Sequence, residues 1–461
     1  MSVRIGRSLI SGETVEKMKK LLVLQPVVNT KYDMFSPKIP VIFYKVEEFA
    51  DQESIVHIPF MFAAALFGKY HNHEAEIASK YPKTNFKFTG SLRDEQPKIV
   101  EEALEQLKTK GTTTIGLPPG SGKTVLGAKL SSEFNFLTCV LFHRTTLGDQ
   151  WKLTFQNFTD ARVWLVGEDV PPVADVILCM DTRIVCLPQS YKDMIGMLII
   201  DEAHAFCTPS HVEGLLSFHP KYVIAETATL IREDGMHSMI HAICGSHGVF
   251  RDISKKFTVI RVLTGVIPER KLNVRGTVDW SALVKSLFFN AIRNKIIVHL
   301  VNENRDKKIL ILTGMVQHVK DLCQLLRESG ETSVEFMAGN KKNYQDSRIL
   351  VGTIPKTGTG FDIATSALNF DGEHIQVVML VTSFRKTSTR EQTVGRGFRH
   401  SNPIVYHLVD DDTILKSHWY IAKKWYTEAG ATIQDLDLRK SIRPEETEID
   451  VSSLAIDDTE D

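Results

Sequence analysis

The sequence predicts an α/β protein: two doubly wound parallel-sheet domains in tandem, with a small N-terminal domain ahead of them and an acidic, disordered tail behind. Three observations predict it. Short apolar runs alternate with helix-like stretches, the pattern of a parallel sheet covered by helices on both faces. The alternation occurs twice, with a stretch bearing Gly265, Pro268 and Gly276 between the two sets. In both halves the motif residues stand at the ends of apolar runs, where such sheets bind ligands. At 461 residues and 43% hydrophobic content the chain fills two or three cores rather than one.

Residues 1–88 hold apolar runs at 21–28, 39–44 and 60–67 and a His-rich turn at His71–His73, but no recognisable chemistry. They are read as an accessory or recognition domain. The first α/β domain spans 89–262, with strands expected at 112–116, 138–142, 176–180, 197–200 and 222–225. Residues 263–279 read as a linker. The second domain spans 280–440, with a helix over 280–302 and strands at 308–313, 334–337, 348–353, 377–381 and 404–408. Residues 441–461 carry eight carboxylates and only Arg443, which leaves the rest of the chain at +6 against an overall charge of −1. Such a tail lacks the apolar surface to fold, and the positive body suits a partner with a phosphate backbone.

The six cysteines, Cys139, Cys179, Cys186, Cys207, Cys244 and Cys323, show no CxxC pair. No apolar signal run opens the chain, and none approaches the ~18 residues that cross a bilayer. An intracellular protein in a reducing compartment, with no membrane partner, is the expectation. His204, Cys207 and His211 lack a fourth ligand, and no zinc site is assigned to them.

Residues 116–124 read GLPPGSGKT after one expected strand and ahead of the helical run 125–130. In that setting Pro119, Gly120, Ser121 and Gly122 form a loop whose backbone amides face phosphates, helped by the helix N-terminus. Lys123 then neutralises the β- and γ-phosphates of ATP, and the Thr124 hydroxyl is a ligand for Mg²⁺. Leu117 stands where the loop's first glycine is usual.

Seventy-odd residues further on, the apolar run 197–200 delivers Asp201, Glu202, Ala203 and His204. Asp201 at a strand end suits Mg²⁺, and Glu202 suits the base that orients and deprotonates water. In the second domain Gln392, Gly395, Arg396 and Arg399 spell QxxGRxxR. A spacing of three puts both arginines on one face of a helix, aimed at a γ-phosphate.

These three sets resemble motifs I, II and VI of the superfamily-two helicases, and the resemblance covers roughly 89–437. Leu92, Arg93 and Gln96 are similar to that family's adenine-side element, and Leu147, Gln150 and Trp151 to motif Ia. Thr227, Ala228 and Thr229 match motif III; Gly358, Thr359, Gly360 and Asp362 match motif V. The resemblance implies two RecA-like domains, with ATP and Mg²⁺ bound by the residues above and by Arg93, Gln96, Gly360 and Asp362. It also implies phosphate contacts to nucleic acid near Arg144, Thr145, Thr227 and Thr353.

Thr229 is followed by Leu230, Ile231, Arg232, Glu233 and Asp234, a form similar to the xeroderma-pigmentosum B branch of DNA-repair and transcription helicases. That adds Arg232 to the nucleic-acid residues and favours DNA over RNA, with transcription or repair proteins as partners. Related motors of large DNA viruses share the layout, and a viral source is one expectation. An RNA helicase shares every nucleotide-site residue and stays open as an alternative. A nucleotide-dependent scaffold is the other, although it is expected to lose Lys123, Glu202 or Arg399, and all three are present.

Overall fold

The computed structural model describes residues 1–27, 40–50, 52–67, 81–93, 95–171, 173–228, 231–232, 234–251, 256–274, 276–341, 343–358 and 363–439. The His71–His73 turn, Thr229, Thr359, Gly360, Asp362 and the acidic tail lie outside the described residues. Two compact units make up the chain: residues 1–117 with 121–251, and residues 252–461 with the tripeptide Pro118–Gly120.

The first unit is built on a seven-stranded sheet, parallel throughout, in the order Val249–Phe250, Thr112–Gly116, Tyr222–Thr227, Met197–Ile200, Thr138–Phe142, Val176–Met180, Val163–Leu165. A strand buried on both faces reads as a continuous apolar run, because its period-two alternation feeds two cores. Cys139, Leu141, Leu198, Ile200, Val223 and Ala225 enter one core. Their alternates Val140, Phe142, Met197, Ile199 and Ile224 enter the other, beneath the helices Gln96–Lys110, Lys123–Phe134 and Thr145–Phe158. Even the Thr-rich strand Thr112–Gly116 is buried. Two of its hydroxyls are satisfied there: Thr112 Oγ1 donates to the Cys244 carbonyl at 2.9 Å and Thr113 Oγ1 to Gln106 Oε1 at 2.8 Å.

Among the described residues, the N-terminal segment packs into the same core as the first sheet. It forms an antiparallel sheet of Ser2–Gly6, Ile55–Pro59 and Lys45–Glu47. Val3, Ile5, Val56, Ile58 and Phe60 from this sheet and the helix after it are buried in the same cluster as Leu198, Val223 and Met239. Ser2 ties the seam, its amide to the Phe218 carbonyl at 2.9 Å and its hydroxyl to Leu216 at 2.7 Å. The described part of the segment expected to stand as an accessory domain therefore covers one face of the motor sheet, because its buried apolar residues pack into that sheet's core.

The second unit holds another all-parallel sheet of seven strands: Val334–Met337, Ile349–Thr353, Ile309–Thr313, Val377–Leu380, Ile404–Val409, Phe257–Leu263, Ala431–Asp437. Phe257–Leu263 falls inside the range expected for the first domain, yet it pairs on both sides within this second sheet. The chain thus passes between units near Arg251. Residues 263–279 are not a free linker. Val266 is buried with Leu283, Leu287 and Leu415, and Thr264 Oγ1 donates to Asp410 Oδ1 at 2.7 Å. Asp410 in turn pairs with the buried Arg293 at 2.9 Å. The helix expected over 280–302 is two helices, Trp280–Phe288 and Ala291–Asn302, because Asn290 accepts from the Arg293 amide at 2.9 Å and starts the second. Among the described residues no helix is long and apolar enough to cross a membrane.

Two measurements check the shared core. Ile58→Ala, at a fully buried position, is expected to cost about 2–5 kcal/mol and to lower the unfolding midpoint of the motor sheet itself. Local loss of the N-terminal strands with an unchanged midpoint for the sheet would separate the two.

The second check is pH. His57 Nδ1 and His219 Nε2 lie 3.1 Å apart in the seam, with Glu47 and Asp193 at their outer nitrogens. Burial holds His57 low and pushes His219 down to about 3. Both rings are neutral in the folded chain and gain their protons on unfolding, where imidazole titrates near 6.5. Stability is thus complete above that value and is lost as pH falls through it. The midpoint is expected to drop between pH 7 and 5, and to drop less in His219→Gln. Parallel pH profiles for the two proteins would remove the seam histidines as the cause.

Candidate active site

The phosphate-loop strand Thr112–Gly116 and the acidic strand Met197–Ile200 flank one strand, Tyr222–Thr227, and all three end on the same edge of the sheet. After Gly116 the chain turns through Gly120 (φ 80°) and Gly122 (φ 81°) into the helix Lys123–Phe134. Both glycines sit in the left-handed region, where a side chain is strained. At Gly122 space is lacking too, because a Cβ would lie 2.4 Å from Gln96 Nε2.

That contact shows what Gln96 does. Its amide donates to the Ser121 carbonyl at 3.0 Å and its oxygen accepts from the Arg93 backbone amide at 2.9 Å. The Arg93–Gln96 element thereby braces the loop from the side. Lys123 Nζ donates to the Leu117 carbonyl at 2.9 Å, folding the ammonium over the loop. Leu117 is itself 2% exposed, so the position where glycine is usual serves here as an apolar anchor. Thr124 is the second residue of the helix, on the loop's side.

Asp201 follows the last residue of its strand and is 5% exposed. Its Oδ2 accepts from the indole N–H of fully buried Trp151 at 2.9 Å. Burial, then the neighbouring Glu202 charge, push the Asp201 carboxyl up, while the Trp151 hydrogen bond and Lys123 pull it back. Glu202 has φ 49°, an uncommon conformation for a glutamate, which turns the chain sharply after the strand.

Glu202 Oε2 lies 3.4 Å from His204 Nδ1, and the same nitrogen is 2.9 Å from Thr227 Oγ1. Burial lowers the His204 pKa more than Glu202 raises it, so the ring is neutral. The first acidic motif and the Thr-Ala motif are thus joined through one imidazole.

The residues expected to grip nucleic acid differ in what they face. Arg144 caps the helix Thr145–Phe158, and Thr145 is exposed at its start. Thr353 is 6% exposed at a strand end, its carbonyl accepting from Thr357. Thr227 is fully buried on His204. Arg232 donates to the His204 carbonyl and pairs with Asp234 at 2.5 Å.

In the second unit Gln392 lies in the helix Thr387–Val394, 8% exposed. Arg396 and Arg399 do not share a helix face. The helix stops at Val394, and both arginines lie in the turns that follow. Gly397 lets those turns run against Pro403, where a Cβ would come within 3.1 Å.

One residue escaped the sequence reading. Glu226, one step before Thr227, is fully buried, with neither carboxylate oxygen hydrogen-bonded. The register pairs Ile200 with Ala225, so Glu226 stands beside Asp201 on the neighbouring strand. Burial, then Asp201, hold its carboxyl well above the ordinary range. Gly127 makes room for it, since a Cβ there would lie 2.7 Å from Glu226 Oε1. The available signal was a lone acid interrupting the apolar run 223–225.

Among known proteins, the family described as "Type III restriction enzyme, res subunit" matches residues 89–232. "Putative helicase 161L" of Invertebrate iridescent virus 6 is 25% identical over 474 residues, covering 95% of this chain and 100% of that one. The "DNA 3'-5' helicase XPB" of Kineococcus radiotolerans is 20% identical, covering 73% of this chain and 63% of its own. Of solved structures, S. cerevisiae Dbp5 bound to RNA and ADP BeF3 superposes with a TM-score of 0.53 at 13% identity, over 74% of this chain and 89% of that one. Its likeness is one of fold: tandem RecA-like domains. The chain is a helicase motor similar to these proteins, a nucleic-acid-dependent ATPase built on a pair of such domains.

Proposed function

We propose that this motor is an intracellular, DNA-directed helicase or double-strand translocase, with Lys123, Thr124, Asp201 and Glu202 as its hydrolytic centre. The observation that carries the reading is the sheet order, which brings the phosphate loop and the Asp201–Glu202 strand end to one edge with a single strand between them. Lys123 neutralises phosphate charge from the loop, and the amides around Gly120 and Gly122 orient the phosphates at the helix start. Thr124 and Asp201 supply hard oxygen donors of the kind that suit Mg²⁺, which prefers few protein ligands plus phosphate and water. Bound there, Mg²⁺ would offset charge on the β- and γ-phosphate oxygens. Glu202 orients the attacking water and takes its proton. In the second domain, Gln392, Arg396 and Arg399, together with Gly360 and Asp362, are the residues that the helicase resemblance assigns to the nucleotide.

Nucleic acid is held through sequence-independent phosphate contacts at Arg144, Thr145 and Thr353. Thr227 and Arg232, bonded to His204, are assigned the link between this grip and the nucleotide site. DNA is favoured by the Arg232-Glu233-Asp234 form, and transcription or repair proteins are the partners that form implies. ATPase rates with duplex DNA, single-stranded DNA and RNA decide the substrate; stimulation by RNA alone would replace DNA in this reading.

Lys123→Ala is expected to abolish turnover, since Lys123 is the one cationic side chain in the loop sequence 116–124; wild-type ATPase in this variant would remove the loop assignment. Glu202→Gln keeps the size of the side chain and loses the proton acceptor. Turnover should fall about 10²- to 10⁴-fold while ATP and Mg²⁺ still bind. A rate within tenfold of wild type would show that Glu202 is not the base, and lost ATP binding would make it a part of the metal site.

A further inference from the structure

The hydrogen bond from Trp151 to Asp201 joins two parts of the motor that the proposed mechanism treats separately. Trp151 lies on the helix Thr145–Phe158, whose start carries Arg144 and the exposed Thr145. Asp201 carries the metal-binding carboxylate. The indole N–H meets Oδ2 at 2.9 Å, with Trp151 fully buried and Asp201 5% exposed. In such surroundings a hydrogen bond to a carboxylate is strong and leaves only the other oxygen to turn elsewhere.

The indole has no freedom to swing away. Its ring stacks on Phe155, with centroids 5.8 Å apart. On another side the helix Lys123–Phe134 closes in at Gly127, where a Cβ would lie 2.7 Å from Trp151 Cη2. The helix that bears Trp151 is equally tight on the sheet, for a Cβ at Gly148 would lie 2.7 Å from Phe142 Cζ. From Thr145 to Trp151 the helix spans about 9 Å, a stiff rod between its exposed start and the carboxylate. A shift of that rod moves the indole, and the indole moves Asp201.

We propose that Trp151 is a positioning residue: it orients Asp201 for the metal, and through it the helix Thr145–Phe158 transmits nucleic acid bound at its start to the nucleotide site. The inference rests on the reading of Asp201 as a metal ligand and of Arg144–Thr145 as a nucleic-acid grip. Nothing in the helix pattern alone requires a tryptophan here, because phenylalanine also fills an apolar slot; the N–H is what the carboxylate uses.

The test uses the full chain with two substitutions, Trp151→Phe and replacement of Trp151 by 3-benzothienylalanine, in which sulfur takes the place of the N–H and the ring volume is kept. Binding of a fluorescent ATP analogue is measured in EDTA and across a Mg²⁺ titration, and ATPase is measured with and without duplex DNA. Affinity in EDTA should match wild type within twofold. The Mg²⁺ needed for half-maximal binding should rise about fivefold or more, and stimulation by DNA should fall by a similar factor. In an Asp201→Asn background neither replacement should add to the loss.

An isosteric variant with wild-type Mg²⁺ dependence overturns the positioning role; an equal loss of affinity in EDTA also does, by making the defect one of packing. Raised Mg²⁺ demand with full DNA stimulation overturns the transmission. If Trp151→Phe does not fold, the isostere decides alone. Failure of the wild-type protein to bind the analogue with Mg²⁺ sinks the metal-site reading and this inference with it, whereas wild-type binding matched by the isostere sinks only the inference.

Discussion

A parallel sheet buried on both faces has polar groups to spare only at its strand ends, and the chemistry of the first unit depends on that constraint. Along the strands most residues are committed to one of two apolar cores, and backbone groups are committed to the ladder. Only where the ladder stops can Gly120, Lys123, Asp201 and Glu202 leave the apolar layer. The same edge collects them because every strand runs the same way. Burial then sets the electrostatics: it raises the pKa of Asp201, with Glu202 adding to it, and that of Glu226, with Asp201 adding to it, and the nearby Lys123 opposes both shifts.

Close packing of helix on sheet is what allows this crowding. Gly127 and Gly148 bring two helices near enough that Trp151 reaches Asp201 and Glu226 fits beneath the phosphate-loop helix. Side chains at those two positions would force the helices outward and take the indole from the carboxylate. The acidic motif is therefore held by three separate elements: its own strand, the helix of Trp151 and, through His204, the strand end at Thr227.

The N-terminal segment has a second consequence for the motor. By filling the face of the sheet opposite the helices, it supplies side chains to the core that supports Leu198, Ile200 and Ala225, the positions just behind the acidic motif and Glu226. Any partner that pulls on this segment acts on the floor of the nucleotide site. Its energetic link to the motor is hydrophobic and non-directional, with a few specific bonds at Ser2, His57 and Tyr81 to fix the register.

By itself the sequence determined the class and most of the sheet. Strands 112–116, 138–142, 176–180, 197–200 and 334–337 fall where their apolar runs lie, and the phosphate loop and acidic motif stand at strand ends, because buried strands and sharp turns are local in composition. Only the tertiary structure decided where Phe257–Leu263 pairs, since a strand's sheet is a choice among distant partners with the same alternation. It likewise decided that the described apolar residues of the N-terminal segment share the motor's core, that Arg396 and Arg399 follow a helix rather than lie on it, and that Thr227 and Arg232 turn to His204. Trp151 and Glu226 mark the limit most clearly. In the sequence one is an indole within the Leu147–Trp151 element and the other a lone acid after an apolar run, and what they stand beside is a carboxylate 50 and 25 positions away.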